Sequence, residues 1–207
     1  MPNLWEKYAV PRFIKFACSM PAVMKDRSKI VPKASGKVLE LGCGGGINLQ
    51  FYDPSKIESL TGLDPSAELL DYTRSEAKSR GIDMDILDGI GEAMPFADAS
   101  FDTVLTTFTL CSVQDGEQVL SEMRRVLKPG GKILFLEHGR APDKGPEKWQ
   151  QRIEPAWKHI AGGCHLQRPV SKLFESNGFA LTGNSGHYAP KTPRWLGWME
   201  MGEARPL

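Results

Sequence analysis

The apolar run KVLEL, residues 37–41, ends in GCGGG, so that Gly42, Gly44, Gly45 and Gly46 fall within five positions. Glycine loses more backbone freedom on folding than any other residue and brings no side chain to pack. A cluster this dense at the end of an apolar run marks a loop that something must approach closely. It also limits the fold, because a short buried run closed by glycines belongs to a strand–loop unit of a layered α/β domain.

Four more runs have the character of strands: IESLTGLD (57–64), IDMDILDG (82–89), SFDTVLTTFTL (100–110) and GKILFLEHG (131–139). The first, fourth and fifth of the five are apolar and bounded by turn residues, as strands buried on both faces are. Helical patterns separate them. SAELLDYTRSEAKSRG (66–81) opens on a Ser cap with Glu68 close behind and stops at Gly81. DGEQVLSEMRRVLKPGG (115–131) sets Val119, Met123, Val126 and Leu127 on one face and is expected to stop at Pro129-Gly130-Gly131. Such alternation predicts a doubly wound, Rossmann-like, mainly parallel sheet with helices on both faces. The tail from Trp149 reads as helices broken at Pro155, Gly162-Gly163 and Pro169. Two weaker strands follow, near 179–182 and 196–204. They predict a reversed hairpin at one edge, giving seven strands with one antiparallel edge strand.

In such a sheet ligands bind beyond the carboxyl ends of the strands, where strand order reverses. The glycine loop is therefore expected to carry a nucleotide-bearing cofactor. A dinucleotide fingerprint, GxGxxG, does not fit, because Ile47 occupies the place of its last glycine. The net charge of +1 over 207 residues gives no basic excess of the kind a nucleic-acid partner demands. Cys18, Cys43, Cys111 and Cys164 form no CxxC pair, and the adjacent Cys164-His165 lacks zinc-site spacing, so no metal is expected. The apolar stretch RFIKFACSMPAVM (12–24) is too short to span a bilayer, though weak contact with a membrane surface stays open.

ELGCGGG resembles the first motif of the class I S-adenosylmethionine-dependent methyltransferases. Its companions are Asp64 at the end of the second strand, GIGEAMPFADASFD (89–102), and VLSEMRRVLKPGGKILFLEH (119–138). The resemblance covers about 38–138 and implies S-adenosylmethionine as cofactor. It places the methionine end against the glycines, both ribose hydroxyls on Asp64 and the adenine along 89–102. The implied cofactor set is Glu40, Gly42, Cys43, Gly44, Gly46, Asp64, Pro65, Gly89, Ile90, Gly91, Glu92 and Thr107. Ile90 stands where the family often has an acid for the adenine amino group, which leaves Asp88, Glu92, a carbonyl or water for that contact. The implied organisation is one methyltransferase domain, 1–207. It has an N-terminal helical cap (1–35), a cofactor core (36–138), and a substrate-covering insertion with a final hairpin (139–207).

TLCSVQD (109–115), EHG (137–139), GINLQFY (46–52) and WQQRIEPAWKHIAGGCHLQR (149–168) are similar, more narrowly, to the methyltransferase-like thiol S-methyltransferases. That resemblance implies methylation of sulfide, methanethiol or small alkyl thiols. Vertebrate members begin with an apolar anchor that this sequence lacks, so a cytoplasmic form is expected. A thiolate is the attacking species, which makes His138, His159 and His165 candidate bases. Each also has a structural reading: His138 bonded to backbone, His159 on an amphipathic helix face, and His165 in the insertion. Tyr8, Cys111, Trp149, Trp157 and Cys164 are the candidate acceptor pocket, with Trp5 a further possible wall. Trp195 and Trp198 are expected to pack the hairpin. Quinone C-methylation, phospholipid N-methylation and a non-catalytic cofactor-binding role remain as alternatives.

Overall fold

A computed structural model describes residues 18–207. The elements in chain order are α1 (Pro21–Ile30), β1 (Gly36–Leu41), β2 (Ile57–Asp64), α2 (Ala67–Arg80), β3 (Asp85–Asp88), β4 (Phe101–Thr107), α3 (Gly116–Val126), β5 (Leu127–His138), α4 (Lys144–Ile160), α5 (Val170–Ser176), β6 (Phe179–Tyr188) and β7 (Trp198–Pro206). They form one seven-stranded sheet in the order β3-β2-β1-β4-β5-β7-β6. β1 to β5 are mutually parallel, and β7 runs antiparallel to both β5 and β6. The expected reversed hairpin is thus β6–β7. β6 is the outermost strand, and the antiparallel β7 lies one place inside it.

Alternation along each strand divides the core. Leu39, Leu41, Val104, Ile133 and Phe135 face Val119, Leu120 and Met123 of α3 and Val170 and Phe174 of α5. Val38, Leu105, Leu134 and Leu136 point the other way, toward Ile30 of α1 and Ala77 of α2. Period-two side chains buried on both faces are what helices packed on both sides require.

The caps were local and readable. Ser66 accepts a hydrogen bond from Leu69 N, and Gly81 closes α2 in the left-handed region at φ 64°. Two boundaries differ from expectation. α3 ends at Val126, before Pro129, because the carbonyls of Arg125 and Val126 are taken by Ala99 N and Ser100 N at 2.9 and 2.8 Å. α4 runs through Pro155 without breaking. A proline removes one helical hydrogen bond. Buried Gln150 and Glu154, on the inner side of α4, hold neighbouring loops: Gln150 binds Ala141 N and Gly139 O, and Glu154 accepts from Gln167 N.

Strand order reverses about β1, between β2 and β4. The ends of β1, β2, β4 and β5 therefore bring the glycine loop, Asp64, the segment after Thr107, and His138 to one edge of the sheet.

Candidate active site

The four glycines are not equivalent. A Cβ on Gly42 (φ 70°) would stand 2.0 Å from Thr109 Oγ1, and one on Gly46 (φ 73°) 3.1 Å from Leu49 and 3.2 Å from Glu76. Packing of the chain against itself requires those two. At Gly44 and Gly45 the nearest atom is 3.8 Å away, so their backbone borders open space. Cys43 turns its buried side chain into the sheet beneath Gly62, and burial pushes its thiol up. Only the backbone of Cys43 belongs to the loop surface. Asp64 fixes the loop: its Oδ2 accepts from Gly44 N and its Oδ1 from Ser66 N, both at 2.9 Å. Each carboxylate oxygen has a second lone pair. Burial raises the Asp64 carboxyl, against the lowering effect of these two bonds. Pro65 follows, exposed, at the start of the turn into α2.

Gly89 and Gly91 let the loop after β3 lie on the strands, since a Cβ at either would press on Leu63 at 2.8 Å or on Val119 and Leu41 at 3.2–3.3 Å. Between them Ile90 projects outward and is 48% exposed. Glu92 does not share that opening. Its Oε1 accepts from Gln114 N and Asp115 N at 3.0 and 3.3 Å, so it clamps the entry to α3. Asp88, exposed at the end of β3, remains beside Ile90.

A buried polar cluster underlies the loop. Glu40 accepts from Asn48 Nδ2 and Tyr52 OH, both at 2.8 Å. Arg27, carried in by α1, donates from Nη1 to Asn48 Oδ1 at 2.6 Å and to Thr107 Oγ1 at 2.7 Å. Asn48 also donates to Thr107 Oγ1 at 3.0 Å. Glu40 and Thr107, both expected to touch cofactor, are thus engaged with protein groups and set the shape of the loop from below. Burial raises Glu40 from 4.5 to about 7, against the pull of Tyr52, Asn48 and Arg27. The folded state therefore binds the Glu40 proton more tightly than the unfolded chain. Between pH 4.5 and about 7 this group makes stability fall as pH rises. Denaturant midpoints measured across that window are expected to fall less steeply in Glu40→Gln than in the wild type. Identical slopes would remove the assignment.

At the end of β5 His138 is buried, with Nδ1 3.5 Å from Cys164 Sγ. Its buried Nε2 has no hydrogen-bond partner among the described residues. Cys111 and Trp157 neighbour the Cys164 thiol. Contact with Cys111, and then with His138, holds Cys164 well below the ordinary thiol range, despite burial. Glu137, fully buried, organises the loop after β4 by accepting from Thr106 Oγ1 (2.8 Å), Thr109 N (3.1 Å) and Cys111 N (3.2 Å). Phe108 adopts a left-handed φ of 58° there.

Of the three candidate bases, His138 is the one brought together with Cys111, Cys164 and Trp157. His159 is exposed on α4. His165 turns its ring toward Glu154, with Nδ1 3.4 Å from Oε1, and burial lowers its pKa, followed by Arg168 and Lys158. Trp149 is 55% exposed beneath Arg152, because its position on α4 faces outward from the described residues. Tyr8 and Trp5 lie outside the described residues. Trp195 packs edge-on against Trp157 at 6.1 Å and Trp198 against Tyr188 at 5.0 Å. Arg27, Asn48, Tyr52 and Glu137 were not singled out from sequence. EHG and GINLQFY contained three of them, but strand and turn patterns carry no sign of which polar residue will be buried.

Residues 39–135 match the family model described as a methyltransferase domain. The thiol S-methyltransferase TMT1B of Rattus norvegicus is 43% identical over 77% of this chain and 65% of its own length. That of Homo sapiens is 42% identical over 82% of this chain and 69% of its own. The chain thus spans about two thirds of these relatives. A solved S-adenosylmethionine-dependent methyltransferase of Thermotoga maritima shares the fold, with a TM-score of 0.71 at 20% identity over 98% of both chains. The chain belongs to the thiol S-methyltransferase family of class I S-adenosylmethionine-dependent methyltransferases.

Proposed function

We propose that this chain methylates the sulfur of a small thiol such as sulfide, methanethiol or an alkyl thiol, with His138 Nε2 as the base. The carrying observation is a buried imidazole at the end of β5 with one nitrogen on Cys164 and the other unpartnered among the described residues. The likeness to the thiol S-methyltransferases covers 82% of the chain, more than the sheet core alone, and so reaches the acceptor side.

The residues fit the cofactor. Bare backbone at Gly44 and Gly45 admits its methionine end, the remaining lone pairs of Asp64 accept from ribose hydroxyls, and exposed Ile90 offers an apolar face to the adenine. When bound, S-adenosylmethionine supplies an electrophilic methyl group. The chain's part is to position the acceptor and take its proton: the thiol S–H proton passes to His138 Nε2, leaving the nucleophilic thiolate. Glu137 holds the Cys111 wall, and Cys164 orients the His138 ring through Nδ1.

Asp64→Ala is expected to weaken cofactor binding by about 1.5–3 kcal/mol, the worth of hydrogen bonds to a charged group. Calorimetric titration reads this directly, and unchanged affinity in a folded variant refutes the ribose role. The acceptor is tested by label transfer from radioactive cofactor to sulfide, methanethiol, a quinone and an ethanolamine lipid. Thiols are expected to be preferred. Transfer to the quinone or lipid alone overturns the thiol reading. Four free cysteines fit a reducing cytoplasmic setting, and no described helix is long and apolar enough to cross a membrane. We assign 1–207 to one domain, with the insertion 139–207 covering the acceptor.

A further inference from the structure

The acceptor pocket contains two thiols that methyl transfer does not consume. Cys164 follows the Gly162-Gly163 turn and is half-buried, while Cys111 lies buried beneath it in the loop after β4. His165 N donates to the Cys111 carbonyl at 2.7 Å, which ties the two backbones side by side. Cys164 Sγ is 3.5 Å from His138 Nδ1, and Cys111 Sγ is 3.6 Å from Ser112 Oγ.

We propose that Cys164 and Cys111 are a reactive dithiol that reduces low-molecular-weight disulfides of the acceptor class, with Cys164 attacking and Cys111 closing the bridge. The choice of disulfide class rests on the thiol reading above; the dithiol chemistry does not.

The two cysteines differ in the way such a pair needs. Cys164 is the more accessible, and its contacts with Cys111 and His138 favour its thiolate. Cys111 is deeper, and the shared contact with Cys164 together with burial pushes its thiol up. The Cys164 thiolate attacks one sulfur of RSSR. The S–S bond breaks, Cys164–S–SR forms, and RS⁻ leaves, taking up from solvent a proton equal to the one Cys164 lost on ionising. Cys111 then attacks the Cys164 sulfur, and its own proton goes with the second RS⁻. The sum is a dithiol plus RSSR giving a protein disulfide and two RSH, with two electrons passing to the small disulfide. Both released thiols are acceptors for methylation. The closed bridge would lash the loop after β4 to the turn before His165, across His138, and excess thiol would reopen it by the reverse exchange. The site would then stay open only while thiol outweighs its disulfide.

The test uses the full chain, reduced and freed of reductant, with bis(2-hydroxyethyl) disulfide as probe. Intact mass and non-reduced peptide mapping are the readouts. The expected result is loss of two hydrogens, a linked Cys111–Cys164 peptide, and reaction about tenfold or more faster than in the chain unfolded by denaturant. Cys111→Ser should stop at the mixed disulfide on Cys164, and Cys164→Ser should leave Cys111 unmodified. A wild-type mixed disulfide that never closes, a bridge to Cys18 instead, or reaction no faster than in denaturant overturns the proposal. The mass readout involves no methyl transfer. A chain that closes the bridge yet methylates no thiol would refute the proposed function alone.

Discussion

Gly44→Val is expected to abolish S-adenosylmethionine binding in a chain that still folds. A Cβ at Gly44 would meet nothing beyond its chain neighbours closer than the Gly42 carbonyl oxygen, 3.8 Å away. Its volume therefore enters the open space above the loop, where the proposed function seats the cofactor. The residue has φ 54°, so an L-residue there costs about 1–2 kcal/mol of backbone strain, which the remaining core withstands. Gly42→Ala makes the contrast. Its Cβ would overlap Thr109 Oγ1 at 2.0 Å, so the loss falls on the fold before it falls on binding. Thermal unfolding and calorimetric titration of both variants separate the two effects. A Gly44→Val chain that folds and binds normally removes the loop from the cofactor site.

The difference between those glycines shows what a sequence carries and what it does not. The run into Gly42, the Ser66 cap, the Gly81 stop and Asp64 at a strand end are local features, each set by a few neighbouring residues. They placed the sheet, the reversal of strand order and the loop. Which glycines meet protein and which meet open space depends on Thr109, Leu49 and Glu76, which reach the loop only once the sheet has formed. Arg27 is harder still. It lies 80 residues from Thr107 in sequence, in a short helix whose one acid, Asp26, pairs instead with Lys29 and His187, yet it is buried in the same polar cluster.

Polar residues misled in both directions for the same reason. Glu92 belongs to the stretch that resembles an adenine-binding segment, but the backbone N–H groups of Gln114 and Asp115 claim its carboxylate. Glu137 was not singled out within EHG, yet it is the fully buried acceptor that shapes the loop carrying Cys111. Buried carboxylates go where unpaired backbone donors are, and loop conformation decides that. On α4 the spacing did show an amphipathic helix. It could not show which face turned inward, so Trp149 and His159 were expected at a pocket and lie at the surface.

His138→Ala is expected to lower turnover by about 10²–10⁴-fold near neutral pH, the usual worth of a positioned base, with cofactor affinity unchanged. The size of the effect should depend on pH. A small thiol of cysteine-like acidity ionises near pH 8.5. Below that, the wild type has His138 Nε2 to take the proton, and the variant must wait for the small fraction of acceptor already ionised. Above it the acceptor is thiolate in both, and the alanine variant should approach wild-type rates. The ratio of the two rates should therefore shrink as pH rises through that region. A structural role for His138 predicts something else, because a disturbed Cys164–Cys111 wall depresses the rate by a similar factor at every pH. Full activity in His138→Ala would mean that holding the thiol beside the methyl donor suffices, with no base in the pocket. Steady-state rates with one small thiol from pH 6 to 10, measured for both chains at saturating cofactor, distinguish these three outcomes.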